Sequence, residues 1–150
     1  MQFAKVKGAE VFATASAESG DYVRRLGADR VIDYKAERFE EIVQDADLVY
    51  DLIGGETEER SWQVLKRGGT LISTVHEPDA DKAAAAGVRA SRYTCQPNGE
   101  QLAGIGALID AGKVQVTVEK VFPLDEAAEA ERHLKDDHVV GKVVLEVGSD

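Results

Sequence analysis

The 150-residue sequence holds one cysteine, one methionine, one tryptophan and three prolines. A single cysteine excludes an internal disulfide framework and a cysteine-rich zinc module, and it suits a reducing compartment, here expected to be the cytoplasm. Positive charge is scarce: 18 Lys and Arg face 28 Asp and Glu, for a net charge of −10. A surface of that sign repels phosphate backbones, so nucleic acid is not expected as a partner. No apolar run approaches the roughly 18 residues of a membrane span, and the N-terminus does not read as a signal peptide, so no membrane partner is expected. There is no G-x-S-x-G turn, P-loop or H-E-x-x-H pattern, which leaves hydrolase and nucleotide-phosphatase chemistry without a foothold. The glycine-rich G-x-G-x-x-G turn is also missing. Gly104-Ile-Gly106 is a G-x-G triplet inside an amphipathic pattern, with no third glycine at the right spacing. His76, His133 and His138 are far apart and lack metal-ligand spacing, so no metal site is expected. His133 reads as the charge partner of a helix C-terminus, and Cys95 as a structural or inert thiol.

What is present describes a globular chain. Hydrophobic residues at 43% and charged ones at 31% are ordinary proportions, and the length suits one domain. Runs rich in strand formers occur at Glu10–Ser16, Arg30–Tyr34, Asp47–Ile53, Gly69–Val75 and Val88–Thr94, then at Val114–Phe122 and Gly141–Val147. Gly68-Gly69 reads as the entry to the fourth, and the polar fifth reads as an edge strand. Helical spacing fills the gaps at 18–26, 36–44, 56–66, 79–86, 99–111 and 125–135. Trp62 and Leu65 mark the apolar face of the third of these helices, which leaves Glu56, Glu58 and Glu59 on its solvated face and first turn. Asp79 is a cap candidate, and Gly112 a stop. Alternating strands and helices with short connections predict an α/β, doubly wound, mostly parallel sheet.

Several segments then carry a resemblance. They are Phe3-Ala-Lys5 with Lys7-Gly-Ala9, Leu26-Gly-Ala-Asp29 with Val31-Ile-Asp-Tyr34, and Asp51-Leu-Ile-Gly-Gly55. The run continues with Leu65-Lys-Arg-Gly-Gly-Thr-Leu71, Phe122-Pro-Leu-Asp-Glu-Ala-Ala128 and Gly141-Lys-Val-Val-Leu-Glu-Val147. In this order and spacing they resemble the medium-chain dehydrogenase/reductase superfamily, in its quinone oxidoreductase-like, zinc-free branch. The resemblance implies a Rossmann-like fold lacking its first strand and glycine-rich turn, with Met1–Lys7 as the last turns of the first helix. Residues 1–112 are expected to form a partial NAD(P)-binding domain and 113–150 a strand-helix-strand return segment. The family's catalytic domain precedes this region, and a complete two-domain enzyme needs about twice this length.

In a doubly wound sheet ligands gather at the carboxyl ends of the strands. Ser16 ends the first strand, where a carboxylate would grip the ribose hydroxyl of NAD(H), whereas a small hydroxyl leaves room for the phosphate of NADP(H). That tilts the cofactor expectation to NADP(H), with NAD(H) still open; the alternative is that Ser16 caps the next helix. Where NADP-binding members carry a lysine the chain has Gly20, and Lys35 beside Tyr34 is the substitute charge. By the resemblance, Tyr34 lies against the adenosine phosphate end, and it reads equally as a strand-end aromatic. Gly54 allows close backbone approach to a ribose or pyrophosphate, or simply forms a turn with Gly55. Ser73, Thr74 and Val75 match positions on the nicotinamide side, and Lys142 a position near the phosphates or substrate cleft, with a solvated surface lysine as its alternative. No catalytic residue is assigned.

Two functions follow as expectations. One is the cofactor-binding portion of an oxidoreductase acting on a quinone or enone, inactive as this isolated chain. The other is a non-catalytic module that forms a homodimer through the 88–94 edge strand. The family's sheet order puts the missing strand between the first and third strands of this chain. A replacement strand or a second copy is therefore expected to cover the unpaired backbone there.

Overall fold

The computed structural model describes residues 1–137 and 139–148. His138 lies outside the described residues. In chain order the elements are α1 (Gln2–Val6), β1 (Phe12–Ala15), α2 (Gly20–Arg25), β2 (Arg30–Asp33), α3 (Phe39–Ile42), β3 (Ala46–Asp51) and α4 (Gly55–Ser61). They continue with β4 (Leu65–Ser73), α5 (Ala80–Ala86), β5 (Arg89–Arg92), α6 (Gly99–Asp110), β6 (Val118–Pro123), α7 (Ala127–Asp136) and β7 (Lys142–Glu146). Short 3₁₀ turns at Ala17–Ser19 and Leu124–Glu126 lead into α2 and α7. The fold is α/β: β4 pairs in parallel with both β3 and β5, and β6 with β7, in the alternation of a Rossmann-like domain. The strands group as β1–β2, β3–β4–β5 and β6–β7. Within the described residues β3 is paired by β4 on one side alone. No segment of them supplies the replacement strand expected beside it.

Two compact units are present, one formed by Met1–Val31 with the chain from Gly99 onward, the other by Ile32–Asn98. In the second, β4 shows why period-2 patterning makes a strand. Gly69, Leu71 and Ser73 are buried on one face while their neighbours are partly exposed. Ile32, Phe39 and Val64 form the core of this unit, with Ile42, Val43, Ala46 and Val49 packed around them.

That core corrects the expected third helix. The chain leaves the helix at Ser61 instead of running on to 66. Gln63 and Val64 donate to the carbonyls of Arg60 and Ser61, which tightens the chain into a turn. Val64 then turns inward and its carbonyl accepts from Ala46 N–H at 2.8 Å. Burial of Val64 against Phe39 outweighs another helical turn, and Leu65 opens β4. Gly68 and Gly69 lie inside that strand rather than before it, at the register slip where Ala46 faces Leu65 but Leu48 faces Thr70. The expected helix over 36–44 contracts to the single turn of α3, because Arg38 and Val43 are extended on either side.

Asp79 caps α5 as expected, accepting from Asp81 N–H and Lys82 N–H at 2.9 and 3.1 Å. Asp79→Ala is expected to cost about 1 kcal/mol, read as a lowered urea midpoint at unchanged slope; an unchanged midpoint would show the cap is idle.

In the other unit, α6 stops at Gly112, where Gly112 and Lys113 N–H return to Ile109 and Leu108 carbonyls at 2.9 Å each. The strand expected from 114 begins at Val118, since Val114 N–H is also drawn back to Leu108. His133 does more than complement a helix end. Its Nδ1 lies 2.6 Å from Asp137 Oδ2 and its Nε2 3.1 Å from Glu119 Oε1, tying α7 to β6. Gly141 has φ +119, and a Cβ there would meet Thr117 O at 2.6 Å; the missing side chain lets β7 start with Lys142 N–H bonded to that same carbonyl at 2.8 Å.

Candidate functional site

The carboxyl ends of β3 and β4 are in register, Asp51 opposite Ser73. Both side chains are buried, Asp51 at 4% and Ser73 at 0% exposure. Buried polar groups need partners, and these find one another. The Asp51 carboxylate accepts from Ile53 N–H at 3.1 Å, from Gly54 N–H at 3.0 and 3.1 Å, and from the Ser73 hydroxyl at 3.0 Å. The Ser73 oxygen in turn accepts from Val75 N–H at 3.3 Å. Thr74 donates to the Asp51 carbonyl through its N–H at 3.0 Å and its hydroxyl at 3.4 Å. One aspartate thus fixes the turns that leave both strands.

Gly54 occupies a backbone region closed to most side chains, with φ 74 and ψ −165. A Cβ there would come within 3.3 Å of His76 Nε2 and Val75 Cγ1. Its turn therefore lies directly against the chain leaving β4.

The next helix contributes Glu58. The sequence pattern places this residue on a solvated face; instead it is buried, at 4% exposure, while Glu56 and Glu59 are exposed. Once the helix ends at Ser61, its buried face is Glu58 and Ser61, one turn apart, and Trp62 no longer orients it. Glu58 Oε2 has no hydrogen-bond partner among the described residues. His76 Nε2 lies 3.4 Å away, with the imidazole about half exposed and its Nδ1 3.0 Å from Glu77 O. Burial pushes the Glu58 carboxyl above the usual glutamate range; His76 pulls it back, while the nearby Asp51 and Glu59 charges and a hydrogen bond to Asp51 push it further up.

Of the residues singled out in the sequence, Gly54, Ser73, Thr74 and Val75 come together around Asp51. Tyr34 follows β2 with its ring 57% exposed and Lys35 Nζ 5.9 Å from the ring centre. Ser16 belongs to the other unit, buried, with its hydroxyl donating to Ser19 Oγ at 3.3 Å; its side chain makes no capping bond to the following turn. Lys142 opens β7, exposed. Sequence reasoning missed three members of the site: Asp51, Glu58 and His76. An acid at a strand end two residues before Gly-Gly was a usable signal for Asp51, because such acids bond the N–H groups of the turn that follows. Neither Glu58 nor His76 had one.

Comparison with known proteins gives the class. Residues 26–145 match the family described as zinc-binding dehydrogenase. The chain belongs to that family, in the quinone oxidoreductase-like part of the medium-chain dehydrogenase/reductase superfamily, and corresponds to its C-terminal cofactor-domain portion. It is 33% identical, over 98% of its length and 47% of the relative's, to a probable zinc-binding oxidoreductase, mitochondrial, of Arthroderma benhamiae. An NADPH-dependent alkenal/one oxidoreductase, chloroplastic, of Arabidopsis thaliana is 35% identical over 97% of this chain and 36% of its own. Among solved structures, the quinone oxidoreductase from Coxiella burnetii superposes with a TM-score of 0.85 at 32% identity, covering 98% of this chain and 48% of that one. The chain spans about half the length, or less, of these relatives.

Proposed function

We propose that this chain is the cofactor-binding portion of an NADP(H)-dependent oxidoreductase that reduces a quinone or enone-type substrate. Family membership supports the reading, as do the names of the alkenal/one and quinone oxidoreductases it resembles. The observation that carries it is the paired end of β3 and β4, where Asp51 binds Gly54, Ser73 and Thr74 and Ser73 in turn binds Val75, all in one constellation. In parallel α/β sheets that end receives the ligand.

The chemistry of these residues favours one end of the dinucleotide. The buried Asp51 carboxylate bonded to Gly54 N–H opposes a phosphate and suits an uncharged or cationic ring, so we assign Gly54, Ser73, Thr74 and Val75 to the nicotinamide end. The nicotinamide, when bound, supplies the hydride. The protein's part is to hold the ring: the Gly54 turn allows close approach, and the Asp51 network keeps the two turns rigid. Ser16 and Tyr34, with Lys35, are assigned to the adenosine phosphate end, and Lys142 to the phosphates or the substrate cleft. Residues 1–112 then form a partial cofactor domain and 113–150 its return segment. The exposed, free Cys95 fits a reducing compartment such as the cytoplasm. No helix is long and apolar enough to cross a membrane among the described residues.

A second reading, a dimerising module without catalysis of its own, is favoured by one feature. Among the described residues β5 is paired with β4 on one side only, and Tyr93 beside it is 50% exposed. An open edge of that kind is a template for a second copy across a two-fold axis. The two readings are compatible in one protein.

Titration with NADPH and NADH, followed by cofactor fluorescence, tests the first reading. These residues contain no glycine-rich turn, so binding is expected to be weak, with Kd of about 1 mM, near −4 kcal/mol, and without turnover. NADPH is expected to bind more tightly than NADH, and Ser16→Asp to reverse the order, because a carboxylate there repels the added phosphate. Equal binding of both cofactors by the parent and by Ser16→Asp would remove Ser16 from the site. Micromolar affinity or turnover by the 150 residues would overturn the assignment of inactivity.

A further inference from the structure

We propose that Asp51, Glu58 and His76 form a proton store at the carboxyl ends of β3 and β4, with the proton carried on Glu58 and exchanged with water through His76. The geometry assigns the parts. Asp51 has three donors already directed at it, the N–H groups of Ile53 and Gly54 and the hydroxyl of Ser73. Glu58 Oε2 makes no hydrogen bond among the described residues, in a side chain only 5% exposed. Ionising the buried Glu58 carboxyl beside Asp51 carries a penalty, and an oxygen that no donor satisfies favours the protonated form of Glu58. His76 is the one member open to water, at 48% exposure, and its Nε2 is 3.4 Å from the orphan oxygen.

The other charged groups around Glu58 act in the same direction or are spoken for. Glu59, next in α4, adds a like charge and is itself paired with Lys82 of α5. Lys82 feels Glu58 as well but is committed to Glu59 and neighbours Asp79. His76 is then the neighbour that pulls the Glu58 carboxyl down. Burial is the leading influence raising the Glu58 carboxyl above the ordinary glutamate range; His76 opposes it and Asp51 reinforces it.

The use of the store rests on the reductase reading above. A bound reduced nicotinamide would supply a hydride with its electron pair to an enone or quinone, and completing that reduction would require a proton on the substrate. In the proposed route the O–H bond of Glu58 breaks as its proton passes to His76 Nε2, the ring gives up one proton to the reduced substrate anion, and hydronium from the surrounding water returns one proton to Glu58, so each proton delivered is replaced by one from solvent. No other oxidant or reductant is involved.

The test is carbon-13 NMR of the 150-residue chain labelled at the glutamate carboxyl carbons, titrated with pH, with the Glu58 signal assigned by its loss in Glu58→Gln. Glu58 is expected to titrate above the ordinary glutamate range. Asp51→Asn is expected to lower its midpoint by removing the like charge, and His76→Gln to raise it by removing the neighbour that pulls it down. A Glu58 midpoint in the ordinary range in the parent chain overturns the proposal without recourse to any variant. So does a midpoint that neither substitution moves. A high midpoint in a chain that binds neither NADPH nor NADH leaves the store standing and removes its use in reduction; an ordinary midpoint in a chain that prefers NADPH does the reverse.

Discussion

Asp51→Ala is expected to destabilise the unit formed by Ile32–Asn98 by about 3–5 kcal/mol, among the largest effects of any single change in this chain. The carboxylate is the common acceptor for Ile53 N–H, Gly54 N–H and the Ser73 hydroxyl. Hydrogen bonds to a charged acceptor contribute about 1.5–3 kcal/mol each, and a buried donor left unpaired costs about 1–3 kcal/mol. Ser73 can rotate its hydroxyl, but the N–H of Gly54 cannot move without abandoning φ 74. Asp51→Asn keeps one acceptor oxygen and removes the like charge facing Glu58, so its loss should be less than half that of alanine. Urea unfolding of the three chains at pH 7 measures this order. Equal losses for Asn and Ala would mean that the charge, rather than acceptor geometry, holds the turns.

Leu71→Ala is the second large effect, about 3 kcal/mol, within the 2–5 kcal/mol typical of a buried leucine cut back to alanine. Leu71 is fully buried, and with Ile32 and Ser73 it is one of the largest side chains so enclosed among the described residues. It sits on the inward face of β4, the strand with neighbours on both sides, so a cavity there has no loose edge to collapse into. The comparison is Ile72→Ala on the alternate face, expected to cost clearly less because Ile72 is only partly buried. If the two substitutions prove equal, the face of β4 that carries the packing has been misassigned.

Glu58 adds a pH dependence whose sign follows from its direction. Its carboxyl binds a proton more tightly folded than unfolded. The stability this contributes is fully present below the ordinary glutamate value of about 4.3, and it is lost as pH rises through the raised folded value. Glu58→Gln should therefore gain on the parent chain as pH climbs across that window.

The order of elements was legible before any coordinates, for a physical reason: period-2 and period-3.6 patterns are local properties, set by where consecutive Cβ atoms point. Strands β1 to β5, the Asp79 cap and the Gly112 stop all follow from such patterns. The resemblance added the family, because its motifs are spread over the chain in a fixed order. It also drew attention to Gly54, Ser73, Thr74 and Val75, which do share one place.

Where Trp62 and Val64 go was not legible, because leaving the helix at Ser61 depends on Phe39 and Ile32 offering Val64 a place to bury. That single decision rotates the meaning of α4 and turns Glu58 from a solvated acid into a buried one. The scarcity of cysteine and of positive charge and the α/β alternation belong to the sequence alone, since composition and local period carry them, and so does the family, through a resemblance in the order of its motifs. The meeting of Asp51, Glu58 and His76 belongs to the tertiary structure. Three residues separated by 7 and 18 positions in the chain share no period, and parallel register between β3 and β4 is what sets them side by side.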